Sequence, residues 1–428
     1  MRALLLELWQ RTRLDWSFVS DRLSVTFRRE RSLGSSERRF VAETLYGMVR
    51  HLRRLDAAIA AGSRRTASRP RDDQRLLAYL VLEAHLPVAE AARADASLDW
   101  GAVAGIDARI AAERKRETRL ALGASLPDWL AARLAADWGE DAEALARGLN
   151  QRAPMTVRAN LLATTRDDLA GILRGLGLAT TPGRWCDTAL IVESRTNLFG
   201  LEPFKRGLLE AQDEGSQLLA DLVAAPAKAT VVDFCAGAGG KTLALAARMA
   251  GRGRLIAADV DGGKLEELRR RARRAGVSNA QAVALDPGDG DLPGPLAAVV
   301  GRADRVLVDA PCSGIGALRR NPEARWRLAE SDLAGFAARQ RAICGRAAAL
   351  LAPGGRMIYA TCSLLTAENA DVVEAVCAAR SDLRLVPLVD ALGPAAAPLA
   401  GRDPRFFEVT PHVHGTDGFF GAVLERTA

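Results

Sequence analysis

Apolar and polar positions along the chain fall into three successive rhythms. Over residues 1–125, apolar side chains recur three and four positions apart. The rhythm is clearest in RFVAETLYGMVRHLRRLDAAIAAG (39–62) and QRLLAYLVLEAHL (74–86). This spacing puts one apolar stripe on each helix and predicts an all-α bundle, punctuated at Gly62-Ser63 and Arg69-Pro70. ERKRETR (113–119) predicts an exposed linker. Arg50, Arg53, Arg54, Arg64 and Arg65 lie in the helical stretch, on an RNA-facing surface or on the solvated side; the solvated side is expected.

Over 126–210 the rhythm is mixed. LPDWLAARLAADWG (126–139) reads as a helix with two Trp. MTVRANL (155–161) alternates like a strand, Thr165 caps a helix running to about Arg174, and Gly175 and Gly177 end it. A small α+β module follows, closed by Lys205, Arg206 and Gln212-Asp213-Glu214.

From 211 to 428 short apolar runs alternate with helical segments. The runs are TVVDF (230–234), RLIAAD (254–259), AQAVAL (280–285), RVLVDA (305–310), RMIYAT (356–361) and GFFGAVLE (418–425). Helices are predicted from Lys241, from Gly263, over 331–351 and over 367–379. Strands alternating with helices predict an α/β fold with a mostly parallel, doubly wound sheet.

Composition narrows the class only a little. Across 428 residues, 49% hydrophobic and 26% charged content describe an ordinary globular chain. No apolar run is long enough to span a bilayer, and the N-terminus does not read as a signal peptide. The six cysteines (Cys186, Cys235, Cys312, Cys344, Cys362, Cys377) form no CxxC pair, which suits reduced thiols in a cytoplasmic protein. Cys/His zinc spacing is absent, so no metal is expected. A net charge of +7 favours a polyanionic partner without proving one.

The strand-to-helix turn VVDFCAGAGGKT (231–242) carries the first chemistry. Gly237, Gly239 and Gly240 let a ligand approach the backbone and leave a helix N-terminus open. The spacing fails for a P-loop, and Lys241-Thr242 stand where a dinucleotide fingerprint wants Gly or Ala. Asp233 in the strand end would repel a pyrophosphate and suits a cationic ligand such as S-adenosylmethionine. Asp259 ends the next strand, placed for ribose hydroxyls, and Asp286 follows the third, placed for an adenine amino group. A nicotinamide-dependent oxidoreductase stays open on these residues alone.

The fourth and fifth strands run into VDAPCSG (308–314) and YATCS (359–363). If these strands are neighbours, Asp309, Cys312 and Cys362 converge beside the glycine loop. One buried cysteine is usually packing, but two on adjacent strand tips suit covalent catalysis. A thiolate adding at C6 of cytosine makes C5 nucleophilic, and loss of the C5 proton then expels the sulfur. Asp309 would hydrogen-bond or protonate N3, with a raised pKa if it is to donate. The base must leave its stack or lie in a single strand.

QDEGSQ (212–217), DFCAGAGGKT (233–242), the Asp259 tip, VDAPCSG, RRNPEARWR (319–327), YATCS, AEN (367–369) and DGFF (417–420) together resemble the RNA 5-methylcytosine methyltransferases of the RsmB, or Sun, type. ERRFVAETLYGMVRHLRRLD (37–56) resembles that subfamily's NusB-like RNA-binding domain. The resemblance implies a NusB-like bundle over 1–125, a connecting module over 126–210 and a Rossmann-like class I methyltransferase domain over 211–428. It implies that Cys235, Ala236, Gly237, Ala238, Gly239, Gly240 and Lys241 cradle S-adenosylmethionine, with Asp259 on the ribose, Asp286 near the adenine and Asp309 lining both cofactor and base. Cys362 would be the nucleophile and Cys312 would help release product; the DNA enzymes' use of the cysteine after a Pro makes Cys312 the alternative nucleophile. Arg319, Arg320, Arg325 and Trp326 would face RNA. The family loop reads CAAPGGK, and Ala238 replaces its Pro, so the loop should be less rigid. The implied protein is a monomer acting on ribosomal RNA. Transfer RNA as substrate, or an assembly factor with an inactive domain, are the alternatives.

Overall fold

The alternation of strand and helix over the last two hundred residues becomes one large sheet in a computed structural model, which describes residues 1–64, 69–288 and 290–427. Arg65 lies outside the described residues. The chain divides into two units, Met1–Gln151 with Ala317–Asp332, and Arg152–Gly316 with Leu333–Ala428.

The first unit is helical. Its longest helix, Ser35–Gly62, buries Val41, Leu45, Met48 and Leu55 along one face, the stripe predicted from 39–62. Asp72–Glu83 matches the second stripe. The expected linker at 113–119 is half helix, because Arg116–Gly123 begins inside it and Arg119 pairs with Glu143 at 3.0 Å. The solvated reading of the arginines is corrected at Arg54. That side chain is buried and forks onto Asp107 at 2.8 Å and onto Glu83. The helix over 126–139 belongs with this unit, as Asp128–Trp138. No described helix is long and apolar enough to cross a membrane.

The second unit holds two sheets. Strands β1 (Met155–Ala159), β2 (Thr180–Pro182), β3 (Ala189–Val192) and β4 (Leu209–Ala211) form an antiparallel sheet in the order β2-β3-β1-β4. Thr165 caps the following helix as expected, accepting from Asp168 N–H at 3.1 Å.

The large sheet contains β5 (Thr230–Asp233), β6 (Arg254–Asp259), β7 (Ala280–Ala284), β8 (Ala303–Asp309), β9 (Leu351–Thr361), β10 (Leu383–Val386), β11 (Phe407–Val409) and β12 (Phe419–Arg426). Its order is β10-β12-β9-β8-β5-β6-β7, with β11 beside β12. The five strands from β7 to β9 are parallel, and β12 runs antiparallel to β9. Val232, Val306, Val308 and Tyr359 pack on one face, and Val231, Leu307, Ile358 and Ala360 on the other. Apolar layers on both faces are why these strands read as unbroken hydrophobic runs. From β5 the chain winds one way through β6 and β7, then crosses to β8 and β9. The crevice beyond the strand ends at that reversal is where this architecture binds ligands.

Candidate active site

The four acids placed beside the cofactor or the base sit at or just past the carboxyl end of a parallel strand. Asp233 ends β5, Asp259 ends β6 and Asp309 ends β8, while Asp286 lies two residues beyond β7. Registers pairing Asp233 with Leu307, and Asp309 with Ala360, put these tips side by side. Strands β8 and β9 are neighbours, which the convergence of Asp309, Cys312 and Cys362 required.

The glycine loop turns sharply from β5 into the Gly240–Arg248 helix. Gly237 and Gly239 have φ of 53° and 85°, a region that penalises any Cβ. A Cβ on Gly239 would also lie 2.6 Å from Leu268 Cγ. Three contacts hold the loop. Ala236 N–H donates to Ala258 O at 2.9 Å, Gly237 N–H to Asp259 Oδ2 at 2.8 Å, and Arg271 Nη1 to Ala238 O at 2.8 Å. Arg271 in turn meets Glu210 of β4 at 3.0 Å. These contacts supply rigidity that Ala238, in place of Pro, does not. No side chain caps the helix, so its N-terminal amides are open to an anionic group.

Beside the loop is a cleft of about 460 Å³. Cys235 and Asp259 line it together with Val260, Leu285, Pro311 and Ile343. An apolar slot of this size with a carboxylate at one end suits a nucleoside. Asp286 is exposed, and its neighbours Leu285 and Pro287, rather than its own side chain, line the cleft. Burial pushes the Cys235 thiol well above the ordinary range, reinforced by the charges of Asp233 and Asp309.

Asp233 is wholly buried. One oxygen accepts from Thr242 Oγ1 at 2.7 Å, and Oδ1 has no partner. Burial pushes its carboxyl up to about 7; the Thr242 hydrogen bond opposes this, and the Asp309 charge adds to it. A buried carboxylate oxygen without a donor is costly unless a ligand supplies one. Next to it, Lys241 Nζ donates to Asp309 Oδ2 at 2.6 Å. Burial works to lower the Lys241 pKa, but the charge and hydrogen bond of Asp309 outweigh it and hold the ammonium above the usual lysine range. Within this pair Lys241 donates and Asp309 accepts.

Cys312 Sγ and Cys362 Sγ lie 3.4 Å apart, both half-buried. The hydrogen bond to Cys362 and then burial push the Cys312 thiol well up, and either sulfur can be the donor across the contact. Four further residues fix the loops that bear the sulfurs. Gly316 N–H donates to Cys362 O at 2.8 Å, and Gly418 N–H to Gly316 O at 2.9 Å. Asn369 Nδ2 donates to Ser363 O at 3.0 Å while its Oδ1 accepts from Thr361 Oγ1 at 2.6 Å. Glu368 is buried between the two loops. Sequence reasoning noted AEN but gave Glu368 and Asn369 no role. An acid and an amide closely following the second cysteine were the available signal.

The RNA-facing segment is corrected in part. Arg325 is fully buried in the helical unit, where Nη1 donates to Ala124 O at 3.1 Å, Ser125 O at 3.2 Å and Asn150 Oδ1 at 2.9 Å. Trp326 donates from Nε1 to Val49 O at 2.7 Å and packs in the helical core beside Trp16. Arg319 is buried, and Arg320 is half-buried. Enclosure removes Arg325 and Arg319 from reach of a phosphate.

Residues 220–425 match the family described as 16S rRNA methyltransferase RsmB/F, and residues 126–198 match the RsmF/B-like ferredoxin-like domain. A Synechocystis protein named "Probable ribosomal RNA small subunit methyltransferase B" is 30% identical over 419 residues, covering 92% of each chain. The ribosomal RNA small subunit methyltransferase B of Sodalis glossinidius is 33% identical over 298 residues, 70% of this chain and 65% of that one. The crystal structure of PH0851 shares the fold at a TM-score of 0.79 and 24% identity, over 99% of this chain and 97% of that one. Strand order, glycine loop, paired thiols and these likenesses agree, and the chain belongs to the RsmB/F methyltransferase family.

Proposed function

We propose that the protein transfers a methyl group from S-adenosylmethionine to C5 of a cytosine in ribosomal RNA of the small subunit, with Cys362 as covalent nucleophile. The chain's own groups fit the cofactor. The unpartnered Asp233 Oδ1 suits its ammonium, the uncapped helix its carboxylate, Asp259 its ribose and the cleft of about 460 Å³ its adenine, with Asp286 at the mouth. When bound, the cofactor supplies an electrophilic methyl group on a sulfonium.

The remaining work falls to the chain's own residues. Cys362 Sγ adds to C6, forming a C–S bond and moving electron density to C5. The S–H of Cys312, 3.4 Å away, stabilises the sulfur before attack and lies where it can assist its departure. The Lys241–Asp309 pair meets the N3 and N4 edge of the ring; the ammonium is the proton source and Asp309 the acceptor that orients it. After methylation solvent water takes the C5 proton, its bonding pair forms the C5–C6 double bond, the C6–S bond breaks to restore the thiolate, and the N3 proton returns to Lys241. Of the four RNA-contact candidates, Arg320 and Trp326 keep part of their surface open, and we assign the segment's contact with RNA to them.

The observation that carries this reading is the thiol pair on adjacent strand tips beside a half-buried ammonium–carboxylate pair. The test is transfer of labelled methyl to unmodified small-subunit ribosomal RNA, followed by mapping of 5-methylcytosine. Label in a cytosine that is lost with Cys362→Ala supports it. Transfer RNA labelled in preference, or no RNA labelled at all, refutes it.

A further inference from the structure

Glu368 is fully buried at the back of the thiol pair, and four donors converge on its carboxylate. Ser313 N–H donates to Oε1 at 2.8 Å and Gln340 Nε2 to the same oxygen at 3.1 Å. Ser313 Oγ and Ser363 Oγ both donate to Oε2, the latter at 2.6 Å. Each hydroxyl has one proton, so the 3.2 Å approach of the two serines is a contact the carboxylate imposes, not a third bond. Ser313 follows Cys312 and Ser363 follows Cys362. Gln340 also donates to Pro311 O at 3.0 Å, and Tyr359 OH donates to the Glu368 carbonyl.

We infer that Glu368 is a positioning residue for the methyl-transfer site, a carboxylate clamp that joins the loop after β8 to the loop after β9 and so sets the contact between Cys312 Sγ and Cys362 Sγ. The inference rests on the proposed role of the thiols. The β8–β9 ladder and the Gly316 N–H on Cys362 O align the two main chains, and Glu368 adds a tie between the two cysteine-bearing loops through side chains. Hydrogen bonds to a charged group in a dry interior are short, strong and directional, which suits a registration device. The charge has a second effect: it adds to the upward push on the Cys312 thiol.

Glutamine and alanine at this position separate the contributions. In Glu368→Gln the amide oxygen can accept from Ser313 N–H and Gln340, while its NH₂ donates to the serine hydroxyls, which can turn to accept. Glu368→Ala removes the acceptor that all four donors share. The readout is disulfide closure of the thiol pair by diamide in the full-length protein, followed by intact mass and peptide mapping, beside single-turnover methyl transfer to RNA.

Closure should be fast in the unaltered protein and slower by roughly tenfold or more in Glu368→Ala, as expected for loss of hydrogen bonds to a charged group. Glu368→Gln should restore most of that rate and lower the pH at which Cys312 becomes alkylated by iodoacetamide. If Glu368→Ala does not fold, Ser313→Ala and Ser363→Ala together remove one half of the clamp and should slow closure in the same direction. Unchanged closure rates in folded variants overturn the clamp. Slower closure with unchanged methyl transfer upholds the clamp and overturns the catalytic reading of the thiols, so the two failures are distinguishable.

Discussion

Adding a single methyl group at Gly316 should disable the site without touching any reacting atom. A Cβ there would lie 2.1 Å from Gly418 O and 2.8 Å from Cys362 O. Carbon and oxygen in contact sit at roughly 3.3 Å, so the loops must part by about 1 Å. The clashing atoms are backbone, and no rotamer change relieves them. Gly316 also donates its N–H to Cys362 O, so the displacement is delivered to the residue bearing the nucleophile. Overpacking of this kind costs about 1–3 kcal/mol of stability. A misplacement near 1 Å in a catalytic geometry lowers rate by about a hundredfold. Gly316→Ala should therefore fold with a lowered Tm, bind S-adenosylmethionine normally, and lose about two orders of magnitude in single-turnover methyl transfer. Gly237→Ala is the contrast, since a Cβ there meets nothing within 4 Å but φ is 53°. It should weaken cofactor binding and spare the thiol loops. A Gly316→Ala protein with near-normal turnover would refute the claim that this contact registers Cys362.

Other perturbations separate the remaining contributions. Gly239→Ala meets both Leu268 and a left-handed φ, and should weaken cofactor affinity about tenfold by calorimetry. The Asp233 carboxyl is pushed up to about 7 in the folded chain against 3.8 for its ordinary value, so the folded state binds its proton more tightly. Its contribution to stability should decline as pH rises from about 4 to 7, by linkage, while affinity for the cationic cofactor rises toward pH 8. Asp233→Asn should flatten both profiles. Arg325→Ala should lower the Tm, by roughly 3 kcal/mol of stability, and leave the salt dependence of RNA binding unchanged. A reduced salt slope would return Arg325 to the RNA surface.

Much of the active-site edge was legible because its residues are chemically unusual where they stand. Acids at the ends of apolar runs, glycines between strand and helix, and cysteines after two such runs have little use in a plain core. The matching strand ends confirm how sharp that signal is, with Arg254–Asp259 read to the residue. Strands β10 and β11 were not legible: LRLV and FEV are too short to show a period, and each exists only by pairing with β12. The arginines were misread for a different reason. A guanidinium looks the same on paper whether it meets solvent, RNA or a cage of carbonyls, and only the fold shows Arg54 on Asp107 or Arg325 on Ser125. Glu368 was hidden likewise, because its importance lies in which loops it reaches across 55 and 5 residues.

The central claim is a bond between the sulfur at position 362 and a cytosine. Full-length Cys312→Ala, incubated with S-adenosylmethionine and substrate RNA, should accumulate a denaturation-resistant protein–RNA species. After nuclease and protease digestion, mass spectrometry should find the modified nucleotide on the peptide containing Cys362. A species that forms instead with Cys362→Ala and maps to Cys312, or methylated RNA released with no trapped species in either variant, would contradict the account.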